Sequence, residues 1–80
     1  MQRTSADLEV GDAFVIKEPL KAHPLNISGY ACGDPIHVET IWVFKAKLVK
    51  HFLQHNILID FVNIVTGEAY YYIGTNFELE

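Results

Sequence analysis

The densest apolar stretch of the chain, ILIDFVNIVTGEAYYYI from Ile57 to Ile73, holds more hydrophobic positions than one buried sheet face uses. Its β-branched and aromatic content, interrupted at Thr66-Gly67, predicts two strands joined by a tight turn. A two-residue mirror-image turn forces the β-branched Thr66 to positive φ, whereas a three-residue loop, Val65-Thr66-Gly67, puts only Gly67 in the left-handed region. That loop sets Ile64 opposite Glu68, Val62 opposite Tyr70, Phe61 opposite Tyr71 and Ile59 opposite Ile73. The expected core face is then Ile57, Ile59, Phe61, Ala69, Tyr71 and Ile73.

Upstream, Asp12 to Glu18 alternates as a first strand, with Phe14 and Ile16 on one face. Pro19 has no amide hydrogen and ends it. Residues 19–35 contain all three prolines and read as a long irregular loop. Loops of that length are often functional; the alternative is an excursion closing one end of the core through Leu20, Leu25, Ile27 and Tyr30. Between 36 and 49, Ile36, Val38, Trp42, Phe44, Ala46 and Leu48 recur at period two and predict one long strand. Phe44, Leu48, Val49, Phe52 and Leu53 also fit one side of a helix, so a short helix within 45–55 is the competing expectation. Gly74-Thr75-Asn76 turns the chain into a short last strand, where Glu78 and Glu80 suit a sheet edge. Residues 1–11 form a polar entry arm with Leu8 and Val10 as its apolar anchors.

Eighty residues make one domain, 1–80, of marginal stability. A chain of this size buries only roughly 60–65% of the surface it exposes when unfolded. The fold class expected is mainly β, a small five-stranded barrel or a strongly bent antiparallel sheet. The order of elements is a first strand, a long loop, a strand, a connection, a tight hairpin and a short last strand. In that order the chain resembles the SH3-like small-barrel plan. The acidic and aromatic signatures of signalling SH3 domains are absent, so the resemblance implies a fold and no ligand-binding residues. Pairing the 36–49 strand with the 57–65 strand sets Phe44 near Phe61, Ala46 near Ile59 and Lys45 near Asp60. It gathers Ile41, Val43, Val62, Ile64, Tyr70 and Tyr72 on the opposite face. A sheet face open to water normally alternates to polar residues, so this file either marks an interface or lies under the 19–35 loop or the 45–55 helix.

A net charge of −4 disfavours nonspecific binding to nucleic acid or anionic membrane, and 50% hydrophobic residues argue against disorder. Cys32 is the only cysteine, which rules out an intrachain disulfide. No stretch approaches the roughly 20 apolar residues of a spanning helix, and the first residues lack a signal-peptide run; a soluble, cytoplasmic protein is expected. His51 and His55 stand at helical spacing, with Cys32, His37 and His23 as further metal-ligand candidates. No Cys-x-x-Cys pair accompanies them, and neither a metal nor another cofactor is expected. Cys32, Asp34 and His37 have the residue types of a nucleophile, base and orienter, without a catalytic-cysteine signature around them. Glu39, Asp60 and Glu68 show no pairing suited to acid–base catalysis.

These observations predict a non-enzymatic protein-interaction or assembly module, of accessory or inhibitor type, bound to a protein partner or an identical subunit. Its binding residues are Ile41, Val43, Val62, Tyr70 and Tyr72. The alternative is a ligand-binding domain for a nucleotide or short nucleic acid. There Lys45 and Lys47 contact phosphates, and Tyr70 and Tyr72 stack on bases.

Overall fold

The computed structural model describes residues 3–52 and 56–80. Six strands lie in these residues: β1 (Ala13–Phe14), β2 (Leu20–Leu25), β3 (Ile36–Val38), β4 (Phe44–His51), β5 (Asn56–Asn63) and β6 (Ala69–Thr75). They form one antiparallel sheet in the order β1-β4-β5-β6-β2-β3, curled into a half-barrel, as the mainly β, bent-sheet reading expects. The concave side holds a run of rings, Phe14, Phe44, Phe61 and Tyr70, with neighbouring centroids 5.2 to 5.8 Å apart. Burying each such side chain stabilises the fold by about 1.5–3 kcal/mol, which makes this row the main cohesive element.

The two ends of the chain close the open side beside β1. Thr4 pairs with Glu78, and Ile16 with Leu79. The Leu79 amide donates to the Arg3 carbonyl at 2.9 Å, and the Glu80 amide to the Val15 carbonyl at 2.9 Å. A short 3-10 helix, Ser5–Asp7, is held by a capping box from Thr4 and Asp7. The buried Ser5 hydroxyl donates to Asn76 Oδ1 at 2.7 Å and accepts from the Phe77 amide at 2.9 Å. Leu8 is buried in the core while Val10 is exposed, so one of the two expected anchors of the entry arm serves.

Residues 19–35 are not irregular throughout: β2 occupies Leu20–Leu25 and pairs with both β3 and β6. Pro24 sits inside this strand opposite Tyr70. Its carbonyl accepts from the Cys32 amide, and in a strand the N–H and C=O of one residue point to the same side. The donor that proline lacks is therefore missing on the side of residues 31–32, where the ladder with β3 has given way to the isolated Leu25–Ala31 bridge.

The expected long strand over 36–49 divides into β3 and β4, with a turn between. Phe44 and Ala46 face inward as expected, but Ala46 pairs with Phe61 and Leu48 with Asp60, leaving Lys47 as a bulge. The extra residue reverses the inward parity. Beyond it Val49 packs against the core and Leu48 is exposed. Lys45 lies opposite Val62, not Asp60, so the expected facing survives with the register moved by two. No helix forms in the described part of 45–55, because β4 runs to His51; Leu53 to His55 lie outside the described residues.

The β5–β6 register departs from expectation by one residue, and that reverses β6. Phe61 pairs with Tyr70, Asp60 with Tyr71 and Leu58 with Ile73. The loop has four residues, 64–67, closed by the Asn63 amide donating to the Glu68 carbonyl at 2.8 Å. Gly67 has φ +80° and, among the described residues, no non-glycine residue has positive φ, as the turn argument required. The added length comes from Asn63, whose Oδ1 accepts from the amides of Val65 at 2.8 Å and Thr66 at 3.1 Å. Ile57, Ile59 and Phe61 are buried as expected. On β6, Tyr70 and Tyr72 turn inward, while Ile73 is exposed and Tyr71 stacks on His23 outside.

Candidate functional site: an outer apolar row and an acidic aromatic cleft

On the convex face at the β5–β6 turn, Lys45 faces Val62, and the Ile64 amide donates to the Val43 carbonyl at 3.3 Å. Val43 and Ile64 are 37% and 55% exposed, and Ile41 and Val65 beside them 73% and 71%. Of the sequence-predicted file, Val43 and Ile64 are joined by that backbone bond, Val62 is half-buried opposite Lys45, and Ile41 is exposed in the turn that precedes β4. Tyr70 and Tyr72 are not on this face. The one-residue register difference sends both to the concave side, because side chains alternate at period two.

Tyr70 is 7% exposed and its hydroxyl donates to Glu68 Oε2 at 2.6 Å. Burial, the bond to Glu68 and the charge of Glu68 push its pKa up to about 12. Tyr72 packs edge-on against Phe77 and donates to the Thr75 carbonyl at 2.7 Å. Lys45 and Lys47 are exposed on β4, so the lysines and tyrosines of the nucleotide alternative stand on opposite sides of the sheet.

Farther along the outer face, half-buried Asp60 lies between Leu48 and Tyr71. Burial raises its pKa, and the neighbouring Lys50 charge partly offsets that rise. Among the described residues no group of three potential metal ligands assembles. His51 ends β4, and its expected partner His55 lies outside the described residues. Cys32 is a free, exposed thiol.

A second feature was not foreseen from the sequence. A cleft of about 300 Å³ opens where the β5–β6 turn meets β3, lined by His37, Val38, Glu39, Trp42, Phe44, Asn63, Glu68 and Tyr70. Its wall is aromatic, its rim carries two carboxylates, and no Lys or Arg lines it. Asn63, 3% exposed, spends Oδ1 on its own turn, which fixes the amide orientation. The available signal was Asn63 itself, an Asx-turn residue four positions before Gly67. Convergence of residues from β3, β4 and β6 on this point had no signal, since it follows from curling.

No protein family, curated protein or solved structure matches this chain.

Proposed function

We propose that the protein is a cytoplasmic, non-enzymatic protein-interaction or assembly module that uses the convex row Ile41, Val43, Val62 and Ile64, with Lys45 at its border. The observation that carries this reading is the exposure of Val43 and Ile64, joined by a backbone hydrogen bond, with Ile41 and Val65 exposed within two residues of them in the chain. Contiguous apolar surface of this kind is what an interface core uses, and small domains gain needed buried area by association. The free thiol of Cys32 fits a reducing compartment. An SH3-like description of the barrel belongs to the same reading. Its support is that β1, β4, β5, β6 and the Glu78–Leu79 bridges follow the expected five-element order, with the long excursion folded as the β2–β3 hairpin.

Sedimentation at increasing concentration, with affinity capture of partners, tests the interface. Val43→Asp and Ile64→Asp should remain folded by circular dichroism and lose association. A parent that stays monomeric at every concentration and captures no partner would overturn the reading.

A further inference from the structure

We propose that the cleft between β3 and the β5–β6 turn is a binding site for a basic side chain, Lys or Arg, of a partner polypeptide. Half-buried Trp42 and the uncovered margin of Tyr70 offer ring surface to the apolar stem and to the cation, which is attracted to aromatic faces, while Phe44 in the lining is fully buried. Glu39 and Glu68 supply negative charge without a competing Lys or Arg in the lining. The Tyr70 hydroxyl holds one oxygen of Glu68 and leaves the other for an incoming donor.

Two further observations favour a polypeptide over a bare cation. Asn63 is almost wholly buried and lines the cleft, yet its Nδ2 has no acceptor among the described residues. Every fully enclosed polar side-chain atom among them has a partner, so Nδ2 reaches the open cleft, where a peptide carbonyl suits it. The second is β3 itself, which ends the sheet and pairs only with β2. Its outer edge leaves backbone groups beside His37 and Glu39 for an extended segment. This site is separate from the convex row, and the two are tested separately.

The experiment is an NMR titration of the ¹⁵N-labelled full chain with N-acetyl-arginine amide. The indole N–H of Trp42, the single tryptophan, and the Asn63 side-chain amide should shift saturably, with Kd on the order of millimolar. N-acetyl-norleucine amide keeps the stem without the charge and should bind about tenfold more weakly. Glu39→Gln, at an exposed position, and Glu68→Gln should each weaken the arginine derivative by about three- to tenfold. Equal binding of both derivatives, tighter binding of N-acetyl-glutamate amide, or no shift at Trp42 and Asn63 overturns the proposal. Butylguanidine bound as tightly as the arginine amide overturns its polypeptide part. Loss of association in the convex-row variants with these shifts intact separates this site from the proposed interface.

Discussion

Two hairpins of the sheet, β2–β3 and β5–β6, open on an asparagine that organises its own turn. Asn26 Oδ1 accepts from the amides of Ser28 and Tyr30, as Asn63 Oδ1 does from Val65 and Thr66. Each turn also contains a glycine at positive φ, Gly29 at +86° and Gly67 at +80°. Yet β5 and β6 pair over seven residues, whereas β2 and β3 pair over three and are separated by residues 26–35. The difference lies in what flanks the turn. Asn63 continues the inward file Ile57, Ile59, Phe61 and is buried with it, while Asn26 and Ile27 are exposed. Turn chemistry reverses the chain; a buried file on both arms holds the register afterwards.

The comparison is broken most severely by removing that file. Phe61→Ala should cost about 3–5 kcal/mol, enough to unfold a domain of this size, whereas Ile36→Ala in the exposed arm of the other hairpin should change stability by about 0.5 kcal/mol or less. Urea unfolding of the two variants measures the contrast. If both cost the same, burial along the arms does not separate the two hairpins and the distinction fails.

Next in size is the pair of asparagines. Asn63→Ala leaves the Val65 and Thr66 amides in partly buried surroundings without their acceptor and should cost about 1–3 kcal/mol. At Asn26, where water replaces the lost acceptor, alanine should cost under about 1 kcal/mol. Thermal unfolding decides the order, and the reverse order would show that burial does not set the value of a turn cap.

The smallest effect is electrostatic and sits on the outer face of β5. Burial raises the Asp60 pKa, so the folded state disfavours its charged form. The stability this group contributes is present below the ordinary aspartate range and is lost as pH rises through the raised folded value. Asp60→Asn should therefore raise Tm slightly at neutral pH, and the advantage should vanish in acid. An advantage that persists unchanged at low pH would assign it to something other than the carboxylate. Lys50→Gln, which removes the offsetting charge, should move the Asp60 titration farther upward.

Much of this fold was legible along the chain. The all-β class, the inward residues Phe14, Ile16, Phe44, Ala46, Ile57, Ile59 and Phe61, and the left-handed Gly67 follow from alternation and glycine stereochemistry. Pro24 hid β2, because a missing amide is tolerated where the regular ladder gives way to an isolated bridge, here Leu25 with Ala31, and that depends on pairing not visible in sequence. The bulge at Lys47 was hidden for a related reason: Leu48 continues the apolar file by type, and only pairing with β5 shows that Val49 takes its place inside. Of the candidate binding residues, Val62 lies opposite Lys45 and Val43 is bonded to Ile64 across the same strand pair, Ile41 lies in a turn, and Tyr70 and Tyr72 lie on the concave side.

Side-chain type and period two were thus enough to say which residues share a face within β5, within β6 and in β4 up to its bulge. They did not say which face of β6 turns inward, since Tyr70-Tyr71-Tyr72 offers an aromatic at either parity. Asn63 decided that by lengthening the turn by one residue, and curling of the sheet then brought His37, Glu39, Trp42 and Glu68 around it. Local chemistry acts through neighbours in the chain and can be read there. Parity across a turn, and a cleft between distant strands, depend on pairing, and a shift of one residue exchanges inside for outside.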